Sequence, residues 1–293
     1  MPGNKKPFRL RFAPSPNGYL HLGHAYSALV NARIAKEING KLILRLENID
    51  TFRCKREFEE AIIEDLSWLR LTFKKPIRRQ SENFEVYRKA LDELKKLDLV
   101  YPAFLSRAEV KDRIKTAADK GRNWPYDPDG APLYPTEERS LSREKTNSLI
   151  AEGLPFSWRL NMDLALKHYG KNLFWQEFNG NGLRKISAHP ELWGDVVIAR
   201  KEIPTSYHLA VVVDDAAQGI THIVRGADLF QATSIHRLLQ NILGLEPPLY
   251  YHHRLILGED GKKLSKSNKD ISLRSLRKRG LQVEDIIALL PKI

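Results

Sequence analysis

Two histidines, His21 and His24 in the run RLRFAPSPNGYLHLGH (residues 9–24), are the first side chains whose types and spacing suggest chemistry. Three residues apart at the mouth of a helix, they share one face. Imidazoles placed there can donate to phosphate oxygens and stabilise charge that develops as a phosphoryl group is attacked. The same spacing is common in purely structural pairs, so the tetrapeptide alone does not decide. A second candidate set lies near the other end, in GEDGKKLSKS (residues 258–267), where an Asp260-Gly261 turn precedes Lys263 and Lys266 among serines. Ammonium groups on such a loop can grip a polyphosphate as point charges.

These side chains need elements to hold them. Phe8, Leu10 and Phe12 alternate with Arg9 and Arg11, the period of a short strand with one buried face. Pro14, Pro16 and Gly18 then punctuate a loop, and Ala25, Ala28, Leu29, Ala32 and Ala35 mark a helix up to Gly40. Strand, loop and helix N-terminus open a βαβ unit, and the unpaired N–H groups of that terminus suit phosphate. KLILRLENID predicts a second strand from Lys41 to Leu46 that ends at Glu47 and Asp50. In open parallel sheets ligands bind beyond the carboxyl ends of strands, so Glu47 would face the crevice of the histidines. Helices are expected over Glu57–Leu69 and from Phe84 to Leu97. WRLNMD and LFWQEF read as strands of an inserted segment rich in Pro, Gly, Asn and Arg. YHLAVVV (Tyr207–Val213), apolar without alternation, reads as a parallel strand covered on both faces and ending at Asp214 and Asp215. ITHIV predicts another strand, ending at Arg225, whose guanidinium could meet a carboxylate in bidentate fashion. In the helix that follows, Ile235, Leu238, Leu239, Ile242 and Leu243 form the buried stripe, leaving His236 and Arg237 to solvent. His252 and His253, in LYYHHRLIL, are left without a role.

HLGH and KLSKS together, in this order and separated by alternating strand and helix signals, resemble the class I aminoacyl-tRNA synthetases. RFAPSPNGYLHLGH with RLENID is similar to their glutamyl branch. The resemblance covers nearly the whole chain. It implies an α/β fold with a Rossmann-type parallel sheet in two halves (residues 1–100 and 191–250), an inserted RNA-docking subdomain (101–190) and a KLSKS-bearing loop with a short C-terminal helical segment (251–293). It also implies ATP with Mg²⁺, catalysis by His21, His24, Lys263 and Lys266, and ATP contacts from Gly23 as well. Glutamate is then bound by Arg11, Ala13, Ser15, Glu47, Tyr207 and Arg225. Only 26 residues follow Ser267, so no anticodon-binding domain is expected. That pattern resembles the queuosine-modifying branch, which implies transfer of glutamate to queuosine in tRNA(Asp), by a monomer. Relatives of that branch commonly hold zinc with three cysteines and a tyrosine. Here Ala103, Leu105 and Glu138 replace the cysteines and Tyr134 remains, so no structural zinc is expected. HLGH carries a second histidine where many such relatives have another residue, which leaves a truncated synthetase charging a tRNA 3′ end open. A small nucleotidylyltransferase and a catalytically silent RNA-binding module also stay open.

Composition bounds these readings. The 293 residues allow one large or two modest domains, and 42% hydrophobic with 29% charged content is that of a globular chain, not a disordered one. Lys and Arg outnumber Asp and Glu 48 to 36, which favours a polyanionic partner. A single cysteine, Cys54, excludes an internal disulfide and fits a reducing compartment. With no apolar run of about 18 residues, no membrane span is expected and the location is cytoplasmic.

Overall fold

The computed structural model describes residues 7–179, 182–258 and 271–292. The chain opens with β1 (Arg9–Phe12), α1 (Leu22–Glu37), β2 (Lys41–Leu46), α2 (Arg56–Trp68), a short β3 (Arg78–Arg79) and α3 (Phe84–Lys96). β1 pairs in parallel with β2, Arg9 against Lys41, and β2 with β3. A second stretch holds β4 (Val100–Ala103), α4 (Arg107–Asp119), α5 (Arg143–Ala151), β5 (Ser157–Leu160), α6 (Met162–Tyr169), β6 (Phe174–Asn179) and β7 (Gly182–Ser187). It is followed by β8 (Val197–Arg200), α7 (Tyr207–Ala217), β9 (His222–Gly226), α8 (Thr233–Ile242), β10 (Leu249–His253), α9 (Leu273–Lys278) and α10 (Val283–Leu289).

β10 pairs in parallel with both β9 and β6, and β7 returns antiparallel to β6. The two parallel sheets abut at β1 and β9, where Thr221 N–H donates to the Arg9 carbonyl (2.9 Å) and Arg9 N–H to Thr221 Oγ1 (2.8 Å). Across that junction the order is β3-β2-β1-β9-β10-β6-β7. The sheet grows in opposite directions from β1 and β9, and such a reversal opens a crevice at the carboxyl ends of the strands. One core joins β1, α1, β2 and α2 to α9 and α10 through Leu10, Leu44, Ile62, Leu66, Leu273 and Ile286. The end of the chain thus returns to the first βαβ unit, with Leu273 N–H donating to the Leu20 carbonyl (2.8 Å).

Tyr207–Ala217 is a helix, not the strand that its apolar run suggested. Leu209, Ala210, Val211 and Val212 are all buried because α7 packs against α3, α8 and β8. A helix covered on every side shows no 3.6-residue stripe, so periodicity cannot separate it from a buried strand. Ser206 caps its start, and Gly219, at φ +61°, supplies the left-handed turn after it. The sheet pairing also departs from the expected boundaries at 100 and 190. LFWQEF, expected inside the insertion, is β6 and pairs with β10, while β8 joins β4 and β5 in a separate antiparallel sheet. WRLNMD is strand only to Leu160, because the Asn161 side chain accepts from Leu164 N–H and starts α6. His236 and Arg237 are buried rather than solvated: Arg237 Nε donates to the Phe174 carbonyl (2.8 Å), a bond that only the β6 docking provides.

Candidate active site

The crevice between β1 and β9 contains a cavity of about 690 Å³. Arg11, Ala13, Ser15, His21, Gly23, His24, Glu47, Tyr207 and Arg225 all line it, although they come from both ends of the chain. Lys263 and Lys266 lie outside the described residues. A second cavity of about 530 Å³ shares Ser15, Glu47, Arg53 and Tyr207 with the first and extends to Tyr134, Arg159 and Asp195 of the region around the β4-β5-β8 sheet.

His21 is the N-cap of α1. Its Nδ1 accepts from Gly23 N–H (3.1 Å), while His24 Nδ1 accepts from His21 N–H (3.2 Å). The structural role and the candidate chemical role therefore coexist: capping uses both Nδ1 atoms, which assigns the proton of each neutral ring to Nε2. A Cβ at position 23 would stand 3.0 Å from His21 Cε1, so the glycine permits this close ring packing.

The charged wall is built by a network the sequence did not reveal. Asp214 and Asp215, in the last turn of α7, are buried. Asp215 Oδ1 accepts from Arg11 Nε (3.0 Å) and Arg45 Nη1 (2.7 Å). Asp214 accepts from Arg78 Nε (2.7 Å), Gln80 Nε2 (3.0 Å) and the Tyr87 hydroxyl (2.8 Å). Arg45, fully buried, also donates to Glu47 Oε1 (3.0 Å). Burial alone would raise the Asp215 carboxyl, but Arg11 and Arg45 outweigh it and hold it below the usual carboxylate range. Burial raises Glu47, and Arg45 and Arg11 offset only part of that. Burial pushes the Tyr207 phenol up to about 12, so it remains a neutral donor.

Arg225 differs from Arg11 and Arg45. It is 5% exposed, yet its partners are the neutral groups His252 Nε2 (3.1 Å), His236 Nδ1 (3.1 Å), Thr233 Oγ1 (2.7 Å) and the Leu229 carbonyl (3.2 Å). Among the described residues no carboxylate touches it. A buried cation without a counterion is costly unless an anion joins it, so this part of the wall is chemically suited to an anion. The histidines around it carried no signal in the sequence, because their relation to Arg225 spans separate strands and helices.

The positions of the absent zinc thiolates are filled otherwise. Tyr101, Ala103 and Tyr134 form a small core with Leu105 and Val110. The Tyr134 hydroxyl donates to Glu138 and accepts from Leu105 N–H (3.0 Å), while Phe104 N–H donates to Glu138 Oε2 (3.0 Å). Arg159 lies 3.8 Å over the Tyr134 ring. One alanine, one leucine and a Tyr–Glu pair already hydrogen-bonded do not fit a tetrahedral zinc site. Dialysis against a strong chelator should leave the melting temperature unchanged to within about 1 °C, whereas a zinc-held subdomain would lose stability outright. A clear drop in melting temperature, restored by added zinc, would contradict this assignment.

A family model for the catalytic domain of class I tRNA synthetases (E and Q) matches residues 7–291. The glutamyl-Q tRNA(Asp) synthetase of Rhodobacter capsulatus is 40% identical over 286 residues, covering 96% of this chain and 98% of that relative. The glutamate–tRNA ligase of Aquifex aeolicus is 36% identical over 94% of this chain, which spans 55% of that relative's length. The crystal structure of the glutamate-tRNA synthetase from Elizabethkingia anophelis superposes with a TM-score of 0.72 at 29% identity, over 94% of this chain and 54% of that one. The parallel sheet, its crevice and the match along almost the whole sequence agree, and the chain belongs to the class I tRNA synthetases of the (E and Q) catalytic-domain family.

Proposed function

We propose that the protein activates L-glutamate with Mg²⁺-ATP and transfers it to queuosine in tRNA(Asp), acting as a monomer. The observation that carries glutamate is Arg225, a buried cation in the cavity wall with only neutral partners among the described residues, facing a site that also holds Arg11, Tyr207 and the carboxylate of Glu47. Arg225 and Tyr207 suit the side-chain carboxylate, and Glu47 suits the amino group. The α-carboxylate oxygen attacks the α-phosphorus of ATP, the bond to the β-phosphate oxygen breaks, and pyrophosphate leaves with the electron pair. His21 and His24, at the positive end of α1, stabilise charge on the phosphates, joined by Lys263 and Lys266. No side chain acts as nucleophile. A hydroxyl of the acceptor then attacks the activated carbonyl, loses its proton, and AMP departs.

The queuosine acceptor is supported by the 40% identity to the Rhodobacter relative along 98% of its length. The second histidine of HLGH favours the other reading, charging of a tRNA 3′ end. Labelled glutamate and ATP supplied with tRNA from cells that make queuosine, and from cells that cannot, should label tRNA(Asp) in the first pool alone. Equal labelling of both pools at tRNA(Glu) would replace this reading with the second.

A further inference from the structure

We propose that His236, His252 and Glu177 are positioning residues for Arg225: they fix its guanidinium through uncharged acceptors and so leave its positive charge available to the substrate's side-chain carboxylate. The inference rests on glutamate being the amino acid that is bound.

A guanidinium only donates, so each imidazole nitrogen facing Arg225 must be an unprotonated acceptor. His252 accepts from Arg225 Nε through its Nε2 (3.1 Å), which places its proton on Nδ1, where both oxygens of Glu177 lie 3.0 Å away. Glu177 Oε1 also accepts from His252 N–H (2.7 Å), so ring and backbone are anchored together. His236 accepts from Arg225 Nη1 through Nδ1 (3.1 Å), which places its proton on Nε2, directed at His208 Nδ1 (3.2 Å). Thr233 Oγ1 and the Leu229 carbonyl take both N–H groups of Nη2. Among the described residues, four of the five N–H donors are thereby committed, which leaves one on Nη1 to meet a ligand.

The shell differs from the one that holds Arg11 and Arg45, whose charge is cancelled by direct carboxylates. At Arg225 the carboxylate of Glu177 is set back behind His252. It orients the ring without contacting the guanidinium. The side chain of His252 is 2% exposed and His236 is 2% exposed, so water does not substitute for either acceptor. The arrangement separates two tasks that one carboxylate would merge, holding the arginine and neutralising it.

Three variants at one position test this. His236→Asn keeps an acceptor near the Nδ1 position, His236→Leu removes it, and His236→Asp replaces it with a charge. Glutamate-dependent ATP–pyrophosphate exchange, measured with total tRNA present, should show KM for glutamate within about threefold of the parent for H236N. It should rise about tenfold or more for H236L, the size of one lost hydrogen bond to a charged group. H236D should raise it about 100-fold or more, because the new carboxylate neutralises the cation. Arg225 is proposed to grip the substrate end remote from the reacting carboxylate, so kcat and the KM for ATP should stay within about threefold in all three. Equal KM for H236D and H236N would overturn the proposal, as would parallel losses in kcat and both KM values, the mark of a merely structural role. No exchange with glutamate by the parent chain would overturn the reading of the amino acid, and the proposal with it.

Discussion

Replacing Arg45 by Met should destabilise the protein by about 3–5 kcal/mol, the range for removing one partner of a buried ion pair. Arg45 is fully buried, and it, Arg11 and Arg78 balance three carboxylates, Asp214, Asp215 and Glu47. Asp214 retains Arg78, Gln80 and Tyr87, and Asp215 retains Arg11. Glu47 would lose its only direct ion-pair partner among the described residues. Methionine matches much of the volume, so the loss comes from uncompensated charge rather than from a cavity. Thermal denaturation should show a drop on the order of 10 °C. The deficit should shrink at acid pH, because burial already raises the Glu47 carboxyl and protonation removes the surplus charge. An R45M protein as stable as the parent, or a deficit that does not change with pH, would show that the network contributes little. The same substitution should impair glutamate use, since Asp215 and Arg45 also set the positions of Arg11 and Glu47 in the cavity wall.

Acid should unfold the protein early, through buried histidines rather than through broken surface pairs. Burial, with Arg225 nearby, pushes His208 down to about 4. In the unfolded chain a histidine titrates at about 6.5. Between these values the unfolded state binds more protons than the native state, so stability falls as pH drops through that window. The loss from His208 alone approaches about 3 kcal/mol at the lower end. Burial also lowers His236, with Arg225 adding to the effect, and lowers His252. Asp65 works in the opposite sense: burial pushes its carboxyl up to about 6, so the native state gains stability on acidification by a similar amount. Burial raises Glu47 too, which adds to Asp65, but two carboxyls stand against five histidines that burial lowers, His222 and His253 among them, and a net loss remains. Urea midpoints should fall steadily from pH 7 to pH 5, and most of that slope should belong to the histidine cluster. A midpoint that holds or rises over this range would show that the cluster stays hydrated.

Both predictions rest on residues that the sequence did not mark, whereas most of the cavity wall was legible. Local patterns sufficed for β1, the helix entry at His21 and the strand ending at Glu47, because alternation, Pro/Gly punctuation and one-sided helical spacing arise from neighbours in the chain. The residues chosen from HLGH and RLENID, together with Tyr207 and Arg225, converge on one cavity, since a parallel sheet brings its carboxyl ends to one edge whatever lies between them.

What the tertiary structure decided was everything set by burial on all sides and by partners remote in sequence. α7 was misread because a helix surrounded by other elements loses its periodicity. The sheet that β6 joins is not legible locally, because its pairing depends on a partner 73 residues away, Tyr250 opposite Glu177. His236 and Arg237 look polar and solvated on a helical wheel, but the docking of β6 and β9 against α8 buries them. The sequence by itself determined which residue types meet at the crevice. Only the fold decided which arginines are neutralised by aspartates and which one is held by histidines with its charge unspent, because hydrogen-bond partners 11 to 204 residues apart are chosen by packing, not by local pattern.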